Sequence, residues 1–418
     1  MCRPRHPIEA RGLIAFVVAS LIAVVVVGCA RGPANMDGRD GERGAAATNE
    51  ETTAPEGDRS AARPTQEPGG LDEEVVSPRQ AYVLAGFGDG SLWATDLLTC
   101  NDTGSASSSA GSASSTADAC ALPQNTLFKR LDPQTGEEVA EIQLEDFSSN
   151  TTEVAFGAGS VWVSSGDYYP GPAGGKRPND VVFRVDPETN RVVDSIPVYT
   201  ASGLAFGHGS VWVTSASYGT LSRIDPQTDK VVANIEVGRG AVDIATGERS
   251  GGVWIAGLYL PKNYEGYGRP ESSEDNRLIR LDPETNRVVA QIPIRADSPD
   301  GGAQSVAVGE GAVWAQSVDG RLYKVDPATN KVSAMVSLGE WSSHLAILGG
   351  AVWATVQGPS REAYAPPKIR LVRVDPGAER IVASEDIGPA SKAGDGRLVA
   401  GGGYVWFASG DGLARVSP

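Results

Sequence analysis

The chain is poor in the residues that most enzyme active sites use. Its 418 residues include three histidines, four cysteines and three methionines. It contains no zinc-ligand spacing, nucleophile elbow, phosphate-binding loop or dinucleotide-binding fingerprint. Glycine is plentiful, but it lies in strand turns, where its backbone freedom is needed. These absences predict no cofactor and no metal site.

Positive charge is also scarce. The chain has 36 Lys and Arg against 52 Asp and Glu, a formal net charge of −16. A polyanion repels the phosphates of nucleic acid and of bare anionic membranes. The composition therefore predicts that nucleic acid is not a partner.

The most informative feature is a repeated unit, best seen in Leu204–Val237. Two short apolar runs, LAF and SVWVT, flank a Gly-His-Gly turn, which is typical of a tight hairpin. LSRID alternates apolar and polar residues as a third strand, and KVVANIEV is a fourth. An Asp-Pro turn joins these last two strands, because Asp bonds the backbone ahead of it and Pro presets φ. The unit is a four-stranded antiparallel sheet.

The unit recurs along the chain. A tryptophan marks the second strand of each copy: Trp93, Trp162, Trp212, Trp254, Trp314, Trp353 and Trp406. The last copy lacks a fourth strand, and the run at 73–76 could supply it. We therefore predict an all-β fold, a seven-bladed β-propeller of four-stranded antiparallel blades closed by an N-terminal strand. An open array of the same sheets would leave apolar faces and edges bare.

The N-terminal region predicts export and anchoring. Arginines precede the apolar run Leu13–Val27, which is short for a membrane span and is typical of a secretory signal. It ends in VVGC, which resembles a bacterial lipobox and implies cleavage at 1–28 and lipidation of Cys29. An uncleaved anchor helix is the alternative. Residues 29–70 are predicted to be a disordered tether, since 30–70 contain no Val, Ile, Leu, Phe, Trp or Tyr. Residues 71–418 are predicted to form the propeller, lipid-anchored to the cell membrane on its extracytoplasmic side.

Four connections between second and third strands are long, at 96–125, 165–179, 257–276 and 357–368. In a propeller these connections share one face, and the Asp-Pro turns lie on the other. Long loops often carry function, and exposed tyrosines offer amphipathic contact area. The loop tyrosines are either ligand-binding residues or self-packing ones: Tyr168, Tyr169, Tyr259, Tyr264 and Tyr364.

Cys100 and Cys120 flank a Ser/Ala/Gly-rich run within the first of these loops. In an oxidising compartment we predict a disulfide between them. Two cysteines without other ligands at suitable spacing make a poor metal site.

The looped face should also expose the start of each innermost strand, near the axis. Alignment on the tryptophans places one residue per blade there, although blades four and six could be shifted by one residue. A mixed polar ring at a channel mouth suits a small ligand, a cation or acid–base chemistry, and the alternative is a wetted plug whose polar residues have no further role. The ring consists of Leu84, Glu153, Gly203, Asp243, Ser305, His344 and Arg397.

The units FGxGxVWV and RxDPxTNxVVxxIPV resemble the YVTN-type propeller repeats of bacterial surface proteins. They are also similar to virginiamycin B lyase-like propellers. The second resemblance implies a lyase with a histidine base and magnesium near the axis. Only His344 lies where such a base could be, with Glu153 as a possible partner.

Two functions follow. The first is a membrane-anchored binding scaffold whose looped face recognises a protein, glycan or small molecule. The second is a lyase or hydrolase acting at the channel mouth. We favour the scaffold because the chain lacks a recognisable catalytic set. An ion pair between Arg397 and Glu153 or Asp243 would further argue against catalysis.

Overall fold

The fold was analysed in a computed structural model that describes residues 69–77, 82–96, 127–145, 153–165, 180–199, 201–258, 276–294, 302–339, 341–358, 368–389, 397–409 and 412–418. These residues form seven four-stranded antiparallel sheets, so the predicted all-β propeller is confirmed. A short 3-10 helix, Glu248–Ser250, interrupts the first hairpin of blade four.

Blades one to six each use four consecutive strands. Blade one holds β2 (Tyr82–Gly88), β3 (Ser91–Asp96), β4 (Leu127–Leu131) and β5 (Glu138–Gln143); blade two holds β6 (Val154–Gly157), β7 (Ser160–Ser165), β8 (Val181–Asp186) and β9 (Arg191–Pro197); blade three holds β10 (Gly203–Gly207), β11 (Ser210–Ser215), β12 (Thr220–Asp225) and β13 (Lys230–Glu236). Blade four holds β14 (Ala241–Gly247), β15 (Gly252–Gly257), β16 (Arg277–Asp282) and β17 (Arg287–Pro293); blade five holds β18 (Ala303–Gly309), β19 (Ala312–Ser317), β20 (Arg321–Asp326) and β21 (Lys331–Ser337); blade six holds β22 (Trp341–Leu348), β23 (Ala351–Gln357), β24 (Lys368–Asp375) and β25 (Arg380–Pro389).

Blade seven is built from both ends of the fold. It contains β26 (Leu398–Gly401), β27 (Tyr404–Ser409) and β28 (Gly412–Val416), and its outermost strand is β1 (Glu73–Ser77). Glu73 lies opposite Val416, and Glu74 accepts two hydrogen bonds from Arg415, at 2.8 and 3.0 Å. Each innermost strand contacts that of the next blade, and β26 contacts β2. The predicted closure by an N-terminal strand is therefore confirmed.

The hydrophobic core is divided among the interfaces between blades. The seven marker tryptophans are fully buried, and each of seven apolar clusters joins two neighbouring blades. The phenylalanine of the FG motif packs against the glycine of the preceding blade. A Cβ added at Gly157 would lie 2.1 Å from the ring of Phe206, and one at Gly401 would lie 2.1 Å from Phe87. Glycine is required there because the neighbouring ring occupies the space of a side chain.

A second repeated contact links the blades near the Asp-Pro turns. In blades one to six the cation two residues before the turn aspartate lies over the tryptophan of its own blade, and in blade seven Arg415 does the same, with centroid distances from 4.9 to 5.6 Å. All of these cations except Arg373 also donate a hydrogen bond to the turn proline carbonyl of the next blade. Arg223, for example, donates to the Pro283 carbonyl (2.7 Å) and to Asn286 Oδ1 (2.9 Å). Six interfaces carry this contact, through Arg130, Arg184, Arg223, Arg280, Lys324 and Arg415.

The interface between blades six and seven is different. Arg373 stacks on Trp353, but blade seven has no Asp-Pro turn facing it, since its outer strand is β1. Instead, the segment before β1 crosses this interface. Gly69 forms a parallel bridge with Ala383 of β25, and Leu71 packs against the cluster shared by blades six and seven. The N-terminal segment thus joins the two blades along their outer edge.

Strand direction assigns the connections to faces. Because the strands alternate, the connections from second to third strands and from one blade to the next leave from one end of the sheets, which we call the looped face. The Asp-Pro turns lie at the other end, the Asp-Pro face. The long connections after β3, β7, β15 and β23 therefore all begin and end on the looped face. Their own residues lie largely outside the described part of the chain.

Candidate functional site

The channel mouth on the looped face is the candidate site. Glu153 and Arg397 immediately precede the innermost strands β6 and β26, and Asp243 and Ser305 lie near the starts of β14 and β18. Neighbouring blades place these positions side by side: a Cβ at Gly203 would lie 3.1 Å from the Asp243 Cα. The structure therefore brings most of the predicted ring together.

The ring differs from the prediction in blade one. A register shift between Leu84 and Gly86 moves Leu84 opposite Ala94, whereas Val83 takes the ring position opposite Thr95. Leu84 is instead a core residue, buried between blades one and seven. The alignment missed this shift because it counted a set number of residues back from Trp93, and the bulge between Leu84 and Gly86 adds one residue to that number. In blades four and five the ring positions of Asp243 and Ser305 agree with the alignment.

Arg397 and Glu153 form an ion pair across the mouth. Arg397 Nη2 donates to Glu153 Oε1 at 2.8 Å, although the two residues belong to blades seven and two. Their side chains are 12% and 29% exposed, so the pair is only partly shielded from water. The Glu153 backbone is fixed in turn, because its N–H donates to the Ser164 hydroxyl at 2.9 Å. The pair thus links two blades that are not neighbours in the ring.

The Asp243 carboxyl group is held by neighbouring donors. Its Oδ2 accepts hydrogen bonds from the Ser305 hydroxyl (3.0 Å) and the Val306 N–H (2.8 Å), and Oδ1 accepts one from the Ile244 N–H (2.8 Å). Burial nevertheless raises the pKa of the Asp243 carboxyl above its ordinary value, and the three hydrogen bonds and the charge of Arg397 offset this only in part. The backbone donors of this network were not predicted, since sequence does not reveal which amides a side chain reaches.

His344 lies in β22, within a register shift between Ser342 and Leu345, and is half-buried. The other predicted binding residues cannot be placed in the same way. Tyr168, Tyr169, Tyr259, Tyr264 and Tyr364 lie outside the described residues, as do Cys29, Cys100 and Cys120. No group of three or more His, Cys, Asp or Glu side chains among the described residues is arranged to hold a metal ion. Nor does this part of the chain contain a helix long and apolar enough to cross a bilayer.

The fold and site define the chain as a seven-bladed β-propeller with a polar, partly ion-paired channel mouth. No protein-family model and no curated protein sequence matches it. Solved structures resemble it at low identity. The structure of U3-55K shares 11% identity with a TM-score of 0.52, covering 84% of this chain and all of that one. A chain of Kuenenia stuttgartiensis hydrazine synthase shares 15% identity with a TM-score of 0.48, covering 61% of this chain and 72% of that one. The first likeness supports the propeller fold alone.

Proposed function

We propose that this chain is a membrane-anchored extracytoplasmic binding scaffold that contacts a protein, glycan or small molecule through its looped face. One observation carries the proposal. All four long connections join second to third strands, so they begin and end at the same end of the sheets as Glu153, Asp243 and Arg397. Binding residues concentrate in such loops when a rigid scaffold positions them.

The ion pair at the mouth favours binding over the lyase alternative. A general base must be free to accept a proton from a substrate. Glu153 accepts a hydrogen bond from Arg397 at 2.8 Å, and Asp243 accepts three hydrogen bonds from blades four and five. The two acids instead act as fixed charges in the wall of the mouth.

Partner capture tests the proposal. The full chain, labelled on intact cells with a cleavable cross-linker, is compared with a variant whose loop 259–275 is replaced by a short Gly-Ser linker. The matched control is Gln227→Ser, an exposed position in an Asp-Pro turn of the opposite face. We expect the loop variant to lose the captured partner and the control to keep it. Capture that survives replacement of all four long loops would refute the assignment of the looped face.

The anchor is tested separately with Cys29→Ala. Lipidation on this cysteine would tie the chain to the membrane through two or more acyl chains. We expect the variant to leave the membrane fraction and to lose incorporation of labelled fatty acid. Full retention of both signals would argue for an uncleaved anchor helix instead.

A further inference from the structure

We draw no further inference here: the strongest candidate, the pair of half-buried rings of Tyr199 and Tyr218 on the looped face between blades two and three, with centroids 5.2 Å apart, belongs to the binding surface already proposed, and nothing in the structure shows what covers it.

Discussion

At the residue scale, the turn motif has two roles. The aspartate and threonine bind the turn itself: Asp282 Oδ2, for example, accepts from the Thr285 hydroxyl at 2.7 Å. The asparagine side chain, at a residue of positive φ, and the proline carbonyl accept hydrogen bonds from the arginine of the preceding blade. The sequence allowed us to predict the bond from the aspartate to the backbone ahead of it, seen between Asp282 Oδ1 and the Glu284 N–H at 2.9 Å, but neither the threonine contact nor the second role. The recurring cation two residues before each aspartate was an available signal, although its partner lies in another blade.

We predict that Arg223→Ala weakens the propeller well beyond the loss of a surface charge. The change removes hydrogen bonds to the Pro283 carbonyl, Asn286 and Ser210, and the cation–π contact with Trp212. Buried carbonyl and amide acceptors would lose their charged donor, so we expect a loss of about 2–3 kcal/mol in the free energy of unfolding. Urea denaturation measures it.

Arg287→Ala is the control for this change, because Arg287 is exposed at the start of an outer strand. Its effect should stay within about 0.5 kcal/mol. Equal losses for Arg223→Ala and Arg287→Ala would show that the contact between blades contributes nothing measurable.

The turn aspartates also set the response to acid. Hydrogen bonds lower the pKa values of Asp186, Asp282, Asp326 and Asp375; for Asp326 the Ala328 N–H is the largest cause and the Thr329 hydroxyl the next. A group with a lowered folded-state pKa stabilises the fold above its unfolded pKa, near 3.9 for aspartate, and loses that effect as pH falls through the folded value. The raised pKa of Asp243 acts in the opposite direction.

We therefore predict that Asp326→Asn is less stable than the native chain at pH 7, and that the difference shrinks as the pH falls below about 4. The asparagine carries no charge to lose, whereas native Asp326 must be protonated. Urea midpoints between pH 7 and pH 3 measure the gap. A gap that stays constant over this range would mean that the turn hydrogen bonds do not favour the ionised form.

The channel mouth shows the limit of residue-level prediction. Alignment on the tryptophans correctly brought Glu153, Asp243, Ser305 and Arg397 to the axis. It could not show that Arg397 reaches Glu153 of blade two rather than Asp243, because that depends on side-chain reach across the ring. The period of the repeat fixes position along a strand and leaves such pairings open.

At the element scale, the outer strands carry a feature that the repeat pattern hides. In blades one to six the pairing of third and fourth strands shifts by one residue, always next to the cation that contacts the tryptophan. The extra residue is an exposed valine in blades one to four: Val139, Val193, Val232 and Val289. Such bulges twist an open edge and discourage pairing with other chains. The alternation of apolar and polar residues in the sequence predicted a regular fourth strand without this bulge.

Of the segment before β1, residues 69 and 70 were predicted as the end of a tether, and residues 71 and 72 as the start of the propeller. The structure shows that Gly69 donates to the Val382 carbonyl at 3.1 Å and accepts from the Ser384 N–H at 3.0 Å. Leu71 packs on the core between blades six and seven. A parallel bridge at one residue leaves no periodic signal, which is why the sequence did not reveal it.

We predict that Leu71→Ser loosens the outer edge of blades six and seven. The change removes apolar packing at the interface that lacks the arginine–turn contact, so the backbone bonds of β1 with β28 should open more often. Hydrogen exchange with mass spectrometry should show faster exchange in β25 and β28. Asp72→Ser, at an exposed neighbouring position, is the control. Unchanged exchange in Leu71→Ser would mean that this segment is merely adjacent to the edge.

At the scale of the whole molecule, ring closure depends on a strand distant in sequence. Glu73 lies opposite Val416, so the two chain segments meet where the other blades have an Asp-Pro turn. The seventh interface therefore has a cation, Arg373, stacked on its tryptophan without the turn that the other six cations reach. The repeat count predicted this closure, because the propeller contains seven second-strand tryptophans but six Asp-Pro turns.

A circular permutant would supply the missing turn. Val416 is joined to Glu73 through Asp-Pro-Glu-Thr-Asn-Lys, residues 1–72 are omitted, and new termini are placed in the connection 295–301 between blades four and five. The new turn matches the spacing of blade three, where Ile224 and Val231 are paired across a six-residue turn. Its proline carbonyl and asparagine would then face Arg373, as Pro283 and Asn286 face Arg223. We predict that Arg373 gains a contact that it lacks in the native order.

The double-mutant comparison isolates this gain. Arg373→Ala should cost the native chain little more than its stacking on Trp353, and should cost the permutant about 1–2 kcal/mol more, the value of the added hydrogen bonds. Urea denaturation of the four proteins gives the difference, and it cancels whatever the permutation itself does to stability. An equal cost in both backgrounds would show that the cation and the turn carbonyl do not hold the blades together. The repeated arginine would then stabilise each blade only through its own tryptophan.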